Sequence, residues 1–438
     1  MARKMKDSGI EWIGEIPTDF SLYKLKYLLS SPLCYGANES GTLYSDILPR
    51  YIRITDISPN GTLKNSGMLS LDESSAQNYM LHEGDILFAR SGATVGKSFI
   101  YHNYYGRAAY AGYLIKASFN RLVLPEFVYY YTCSSAYEIW KNSIFIQSTI
   151  QNIGADRYSN LPISVPNSID KQLRIVRYLN NFCSKFDAII YNLQTSIEDY
   201  KKLKQSVITQ AATKTIYDDF GNPSKFRKLR SLCDVLSKGT TPKDIETQND
   251  EFYCIRYLKS ENIVSNQLNL NPTFFITAET NNSLERSKLN SGDILFVIAG
   301  ASIGKVAIAT ADFLPANTNQ AVAFIRLSSS YQYATKYIWY FLQSDVVKQL
   351  IALSAVQSAQ PNLSLEDLGA MRLPLPDQMD CLKITDYLDA KCAEIDKLIA
   401  KKEQLVKELE GYKKSLIYEV ITGKRGIFTD ITRKFPNI

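Results

Sequence analysis

The sequence predicts an α+β protein with two globular heads in a pseudo-two-fold arrangement, joined by two long helices that form an antiparallel coiled coil. Three observations predict this class. A head-like block occurs twice, a long helical block occurs twice, and the blocks alternate along 438 residues at a separation of about 209. A chain duplicated in this way can acquire a two-fold axis. That symmetry suits a partner that is itself nearly two-fold symmetric, and duplex DNA is the obvious candidate.

Each head carries the same strand and turn pattern. A Gly-Asp-Ile-Leu-Phe segment at residues 84–88 recurs at residues 292–296. Each copy continues to a Gly-Lys pair, at residues 96–97 and 304–305. The apolar residues after Gly-Asp predict a strand, and the glycines predict tight turns that need positive φ angles.

Further short elements complete each head. Residues 51–57 alternate apolar and polar side chains, which predicts a half-buried strand, and residues 252–258 correspond to them in the second head. Aromatic residues at 127–131 and 337–341 predict one helix per head, and Pro125 precedes the first helix at a position that a first turn tolerates. Each head is therefore expected to mix short strands, glycine turns and one aromatic-faced helix.

The long helical blocks give the clearest signal. Residues 172–213 align without a gap with residues 381–422. Apolar residues recur every 3.5 positions over more than four heptads, which predicts a coiled-coil seam. The predicted seam residues are Leu179, Cys183, Phe186, Ile190, Leu193, Ile197, Tyr200, Lys204, Val207 and Ala211 in the first block, and Leu388, Cys392, Ile395, Ile399, Lys402, Val406, Leu409, Lys413, Leu416 and Val420 in the second. Two such helices, separated by one compact head, pair most simply in opposite directions, each roughly 70 Å long.

Composition favours a folded recognition protein over a catalyst. Hydrophobic residues make up 45% of the chain and charged residues 21%, so disorder is not expected. The chain has 29 tyrosines but only His82 and His102 as possible imidazole bases. Its net charge of +6 permits nucleic-acid binding without proving it, because a polyanion needs a local basic surface.

Composition also bears on metals, thiols and membranes. The seven cysteines include no CxxC pair, so we expect no metal site and reduced thiols in a cytoplasm. No apolar run is long enough for a signal peptide or a membrane span, so a membrane partner is not expected.

Two motifs resemble catalytic ones but fit them poorly. Residues 92–98 look like a phosphate-binding loop, yet they are one residue short between the glycines, and the second copy lacks the hydroxyl after its lysine. A β-turn is the better interpretation, although its amides and Lys97 or Lys305 could touch DNA phosphate. Asn271-Pro272-Thr273-Phe274 is similar to the Asn-Pro-Pro-aromatic segment of DNA amino-methyltransferases but lacks the second proline. No recognisable cluster of catalytic residues appears.

The combined pattern resembles the specificity (S) subunits of type I restriction–modification systems. The resemblance rests on the opening residues 7–17 (Asp-Ser-Gly-Ile-Glu-Trp-Ile-Gly-Glu-Ile-Pro), on both Gly-Asp-Ile-Leu-Phe blocks, on the Leu-Pro approaches to each helix (161–166 and 373–376), and on Thr422-Gly423-Lys424. It covers essentially the whole chain. Each block is weak alone, but their order and duplication are specific.

The resemblance implies a domain organisation and a set of partners. It implies target recognition domains at residues 1–166 and 215–376, conserved helical spacers at 167–214 and 377–424, and a C-terminal tail at 425–438. Each head would read one half of a split site in double-stranded DNA. The spacers would set the gap and dock two methyltransferase (M) subunits, and restriction (R) subunits would join them. The chain itself would bind no cofactor, because S-adenosylmethionine, ATP and Mg²⁺ would belong to the partner subunits.

Candidate DNA-contacting residues follow from the chemistry of base edges, where Arg or Lys favours guanine and Asn or Gln favours adenine. In head one they are Arg53, Arg90, Ser91, Thr94, Lys97, Gln147, Thr149 and Gln151; in head two they are Arg256, Lys259, Ser302, Lys305, Asn319, Gln320, Gln357 and Gln360. Ile298 and Ala299 replace the Arg90-Ser91 pair, so the two heads are expected to prefer different sequences.

An alternative class remains open from the residues alone. A coiled-coil assembly adaptor would use its heads to bind protein or peptide. Such an adaptor would not be retained on DNA, whereas a specificity subunit complexed with its M subunits would lose DNA affinity steeply as salt rises.

Overall fold

Short strands and a few long helices make up the structure, a computed structural model that describes residues 4–58, 61–145, 152–213, 226–355 and 362–427. These residues divide into two units. The first comprises residues 1–193 and 404–438, and the second comprises residues 194–403. Strands and helices are numbered along the chain from β1 and from α1.

The first unit contains twelve short strands among its described residues. They are β1 (Met5–Asp7), β2 (Glu15–Pro17), β3 (Phe20–Lys24), β4 (Cys34–Tyr35), β5 (Thr42–Leu43), β6 (Arg50–Ile52), β7 (Leu69–Ser70), β8 (Ile86–Ala89), β9 (Ser98–Ile100), β10 (Ala108–Tyr110), β11 (Leu114–Ala117) and β12 (Pro162–Pro166). One antiparallel sheet has the order β4-β11-β8-β9, and a second has the order β10-β6-β7-β5 with β10 parallel to β6. The pairs β1-β2 and β12-β3 complete the strand pairings.

The helices that begin in the first unit are α1 (Glu73–Ala76), α2 (Pro125–Thr132), α3 (Ser135–Phe145), α4 (Ala155–Ser159) and the long α5 (Ile169–Thr213).

The second unit repeats this plan. Its strands are β13 (Phe226–Lys228), β14 (Cys233–Lys238), β15 (Tyr253–Leu258), β16 (Ile263–Val264), β17 (Gln267–Leu268), β18 (Phe275–Thr277), β19 (Ile294–Val297), β20 (Val306–Ile308), β21 (Ala316–Thr318), β22 (Val322–Leu327) and β23 (Arg372–Pro374). Its sheets have the orders β14-β22-β19-β20 and β18-β15-β21, with β15 parallel to β21, and β13 pairs with β23. The helices that begin in the second unit are α6 (Ala278–Ser283), α7 (Thr335–Phe341), α8 (Asp345–Ala355), α9 (Leu365–Ala370) and α10 (Gln378–Ile421).

The Ile-Leu-Phe residues of the repeated Gly-Asp-Ile-Leu-Phe segments lie in β8 and β19, which are inner strands of the equivalent sheets β4-β11-β8-β9 and β14-β22-β19-β20. Ile86 pairs with Ile100 in the first unit, and Ile294 pairs with Ile308 in the second, so the register is the same. All four residues of β8 are buried, because its two faces contribute to two different hydrophobic clusters. Burial on both faces explains why this strand is continuously apolar rather than alternating.

One predicted strand is shorter than expected. The alternation at residues 51–57 predicted a strand, but β6 ends at Ile52. The Asp56 N–H donates to the Arg53 carbonyl at 3.0 Å and closes a 3₁₀ turn, which the Asp56 carboxylate caps by accepting from the Arg53 N–H at 2.8 Å. A side-chain bond to the backbone competes here with the strand ladder.

The helix segments within the first unit pack antiparallel. Asp187 on α5 is 2.6 Å from Lys413 on α10, and the rings of Phe186 and Tyr412 lie 5.5 Å apart. Residues before Asp187, from Ile175 to Cys183, share one core with residues after Lys413, from Leu416 to Ile421. Rising numbers on one helix therefore match falling numbers on the other.

The same relation holds within the second unit. Lys204 lies 2.6 Å from Asp396, and the Lys402 ammonium lies 5.5 Å from the centroid of the Tyr200 ring. Ile208, further along α5, is buried in a cluster with Leu388 and Cys392, which come earlier on α10. Every predicted seam residue of both helices is buried or half-buried. The predicted fold class is confirmed.

Candidate nucleic-acid interface

Each head has an equivalent backbone position where a central strand ends. In the first unit, Arg90 follows β8; its N–H donates to the Tyr113 carbonyl at 3.1 Å, and its carbonyl accepts from the Ile153 N–H at 2.9 Å. In the second unit, Ile298 follows β19 and makes the same two bonds at 2.9 Å and 2.8 Å. The two heads therefore hold this position alike but present different side chains there.

The Arg90 side chain stacks on an aromatic ring. Its guanidinium carbon lies 4.9 Å from the centroid of the Tyr35 ring, which is 42% exposed. The Tyr35 hydroxyl accepts a hydrogen bond from the Ala155 N–H at 3.0 Å, which fixes the ring. Among the described residues, the buried Arg90 Nε has no partner. The result is a planar cation oriented by an aromatic surface, a geometry suited to bidentate recognition.

Ser91, Thr94 and Lys97 belong to the turn between β8 and β9. Ser91 pairs through its backbone with Asn152, and the Lys97 N–H donates to the Thr94 carbonyl at 3.0 Å. All three residues are half-buried. The turn joins two antiparallel strands, whereas a nucleotide-binding phosphate loop leads from a strand into a helix, so the β-turn interpretation is confirmed.

The equivalent turn of head two contains Ser302 and Lys305. The Lys305 N–H donates to the Ser302 carbonyl at 3.2 Å, and the Lys305 side chain is exposed. Both heads therefore present a lysine at the end of the same turn.

Arg53 is engaged inside its own head. Its guanidinium forms hydrogen bonds with both carboxylate oxygens of Asp56, at 2.8 Å and 3.1 Å, and with the Gly67 carbonyl at 2.7 Å. The hydrogen bond with Asp56 raises the pKa of Arg53. These bonds leave the Arg53 guanidinium fewer donors for a ligand.

Lys259 occupies the corresponding turn in head two without such an ion pair. Its backbone N–H donates to the Asn262 side-chain oxygen at 2.9 Å, as that of Arg53 does to Asp56. Because asparagine carries no charge, the ammonium group packs instead over the Phe274 ring, 3.5 Å from its centroid.

The side chains of the remaining described candidates of head two differ in their hydrogen-bond partners. Arg256 donates to the Asp312 carbonyl at 2.7 Å. The side-chain oxygen of Asn319 is buried without a partner among the described residues. Gln320 is exposed, and its side-chain oxygen accepts a hydrogen bond from the Thr241 hydroxyl.

Five predicted contact residues lie outside the described residues: Gln147, Thr149, Gln151, Gln357 and Gln360. The described residues that follow them in sequence, Asn152 and Asn362, lie at the site. Asn152 bridges to Ser91, and Asn362 bridges to Ala299 in the second head.

Sequence reasoning missed Tyr35 and Asn152. Tyr35 holds Arg90, and the Asn152 side-chain oxygen is buried without a partner among the described residues. Tyr35 precedes Gly36 in a short polar stretch with no periodic pattern, so only strand pairing could identify it.

The described residues contain no group of three or more His, Cys, Asp or Glu side chains that could hold a metal ion. Burial raises the pKa of the Cys133 and Cys183 thiols to about 11, so both stay protonated at neutral pH. None of the described helices is both long enough and apolar enough to cross a membrane.

The fold and these cationic positions define a duplicated binding protein, in which each unit has a mixed α+β head and an antiparallel pair of helix segments. Comparison with known sequences identifies the family. The pattern of the family described as "Type I restriction modification DNA specificity domain" matches residues 44–199 and 222–408. This chain belongs to that family.

Two curated relatives support the assignment. The chain is 22% identical over 358 residues to the type I restriction enzyme MjaVIII specificity subunit of Methanocaldococcus jannaschii, covering 79% of this chain and 80% of the relative. It is 29% identical over 223 residues to the type I restriction enzyme EcoBI specificity subunit of Escherichia coli, covering 49% of this chain and 42% of the relative.

A solved structure supports the fold. A chain solved in work on complex assembly and conformational transition of the type I R-M system superposes with a TM-score of 0.69 at 14% identity, covering 94% of this chain and 99% of that one. The protein is thus a DNA specificity subunit of a type I restriction–modification system, a non-catalytic component of that class of enzyme.

Proposed function

We propose that each head reads one half of a bipartite site in double-stranded DNA. The observation that carries this proposal is the shared backbone position after β8 and β19, which presents Arg90 in one head and the buried Ile298 in the other. Two heads with one scaffold and different side chains at its edge are suited to read two different sequences. Base edges would supply the discrimination, and phosphate contacts would fix the register.

The candidate contact residues divide by charge and freedom. Among the described residues, Arg90, Lys97, Lys259 and Lys305 carry positive charge without an ion-pair partner. Arg53, which is paired with Asp56, is the weaker candidate of head one. Ser91, Thr94, Ser302, Asn319 and Gln320 offer neutral donors and acceptors at the same edges, and Arg256 remains a candidate for a phosphate contact.

We further propose that the paired helices set the distance between the half-sites and dock two methyltransferase subunits, which restriction subunits then join. The helices carry exposed apolar side chains outside the seam, including Ile189 (46% exposed), Tyr191 (68%) and Tyr387 (51%). Exposed groups of this kind favour protein partners. S-adenosylmethionine, ATP and Mg²⁺ would be held by those partners, and the complex would act in the cytoplasm.

Methylome sequencing tests the proposal. Cells that carry this chain together with its modification subunits are compared with cells from which this chain alone is deleted. We expect a bipartite adenine-methylation motif that disappears with the chain. A motif that persists unchanged after the deletion, or a contiguous motif in its place, would contradict the proposal.

A further inference from the structure

Strand pairing places Tyr35 beside Arg90. In the first unit, Tyr35 on β4 lies opposite Ile115 on β11, and Ile115 lies opposite Phe88 on β8. Residues directly opposite in antiparallel strands point to the same face, and so do residues two apart along a strand. Arg90, two positions after Phe88, therefore emerges on the face of the Tyr35 ring, in agreement with their contact.

The same row in the second unit places Lys238 beside Ile298. Lys238 on β14 lies opposite Ala323 on β22, and Ala323 lies opposite Phe296 on β19. Ile298 follows Phe296 by two positions, as Arg90 follows Phe88. Lys238 thus occupies the place of Tyr35, and Ile298 occupies the place of Arg90.

Two glycines support this equivalence independently. Gly36 follows Tyr35, and a Cβ there would lie 2.5 Å from the Ala111 carbonyl oxygen. Gly239 follows Lys238, and a Cβ there would lie 2.5 Å from the Asn319 carbonyl oxygen. In both heads, the residue that precedes the crowded glycine, Tyr35 or Lys238, is the one that lies beside the end of the central strand, β8 or β19.

The equivalent side-chain pairs are Tyr35 with Arg90 in head one and Lys238 with Ile298 in head two. The cation is therefore the second member of the pair in head one and the first member in head two. In head one, the aromatic ring is on the edge strand and the cation follows the central strand. In head two, Ile298 is only 2% exposed and has no polar group, whereas Lys238 is exposed on the edge strand. Among the described residues, the Lys238 ammonium has no hydrogen-bond or ion-pair partner.

We infer that Lys238 is a specificity-determining residue of head two, which contacts a guanine edge in the half-site that this head reads. The inference rests on the proposed function. An ammonium group can donate to the O6 and N7 acceptors of guanine in the major groove. Because Lys238 is a flexible point charge and Arg90 is a planar group held on a ring, the two heads would recognise their bases with different geometry.

The test uses the full chain with its modification subunits, and the methylome is sequenced for each variant. Lys238→Ala is expected to reduce discrimination by about 10- to 100-fold at one or two base pairs of a single half-site, and to leave the other half-site unchanged. Lys238→Gln should shift the preference at that position towards adenine. Arg90→Ala should act on the opposite half-site.

Matched controls lie at the other end of the same strands. Lys288 precedes β19, where its carbonyl accepts a hydrogen bond from Arg326 at 3.0 Å, and Arg121 is an exposed residue beyond the end of β11. Lys288→Ala and Arg121→Ala should both leave the motif unchanged.

Three results would overturn the inference. They are an unchanged motif in Lys238→Ala, relaxation in the half-site that Arg90→Ala affects, and a uniform loss of methylation with an intact motif, since a phosphate contact carries no sequence information. A wild-type complex that produces no bipartite motif would instead refute the proposed function. The two failures are therefore distinguishable.

Discussion

Gly239→Ala should destabilise the second head through backbone overlap. The φ angle of Gly239 lies outside the left-handed region, so alanine could adopt this conformation. Space is the obstacle. The new Cβ would lie 2.5 Å from the Asn319 carbonyl oxygen and closer still to that of Thr318, and both are backbone atoms that cannot rotate away.

The size of the effect follows from the displacement required. Real Cβ atoms do not approach other heavy atoms within 3.0 Å, so the edge of β14 must move away from the end of β21 by about 1 Å or more. Overpacking of this kind costs about 1–3 kcal/mol, and rigid backbone neighbours favour the upper end. A loss of about 3 kcal/mol would lower the melting temperature of a head of this size by roughly 6–12 °C.

The assay combines thermal melting with hydrogen–deuterium exchange on the full chain. Exchange should accelerate in peptides that cover β14 and β21 and stay unchanged in the first head. Gly411→Ala is the matched control, because a Cβ at this position on α10 meets nothing within 4 Å. Replacing a helical glycine by alanine should stabilise by about 0.5–1 kcal/mol.

A Gly239→Ala protein that melts at or above the wild-type temperature, with unchanged exchange in β14 and β21, would refute the reasoning. Gly36→Ala offers a second check, because its overlap with the Ala111 carbonyl predicts the same loss in the first head.

Three further predictions concern the helices and the thiols. Inserting one heptad into both α5 and α10 lengthens each helix by about 10 Å, so the half-site gap selected from randomised duplexes should grow by about 3 base pairs. A double-mutant cycle on Lys204 and Asp396, which are 30% and 55% exposed, should give a coupling of about 0.2–1 kcal/mol that falls in high salt. At pH 8, iodoacetamide should modify exposed Cys34 and Cys254 well before Cys233, because burial raises the pKa of the Cys233 thiol to about 12 and its thiolate appears only as the pH approaches that value.

Each of these has a direct check. An unchanged gap after heptad insertion would exclude the helices as the spacer. A coupling that is insensitive to salt would show that the ion pair is more shielded than its exposure indicates. In denaturant all seven cysteines should react, so mass spectrometry of the unfolded chain gives the reference for complete modification.

The helix pairing could be predicted because the apolar positions of a heptad repeat identify the face of each helix that is buried against the other. Two of the three predicted seam lysines, Lys204 and Lys413, occupy equivalent positions that a count of apolar residues alone would reject. The structure explains them, since each lysine lies at the edge of the seam and pairs with an aspartate of the opposite helix, Asp396 or Asp187. The long aliphatic stem packs, and the charge is neutralised at its end.

Local polar competition was harder to anticipate. The alternation at residues 51–57 has the period of a strand, but Asp56 captures the backbone of Arg53 and ends β6 early. The same carboxylate also occupies the Arg53 guanidinium, which the sequence alone presented as a free cation.

The Tyr35–Lys238 equivalence could not be read from the sequence. The central strands β8 and β19 repeat at an offset of 208, whereas Tyr35 and Lys238 are 203 residues apart. The segment between Tyr35 and β8 differs in length from the segment between Lys238 and β19, and this shifts the alignment. The tyrosine and lysine side chains also share no chemistry. Only the pairing with β11 and β22 shows that they occupy one place.

The glycines at 36 and 239 also bear on how such a protein could acquire new targets. Within this one chain, the crowded position has kept the same residue in both copies, while its immediate neighbour has changed from an aromatic to a cation. The glycine codon is thus constrained by the lack of space for a side chain, whereas the codon before it is free to change. A change of one amino acid at the permissive codon could alter the preferred bases while the backbone stays as it was.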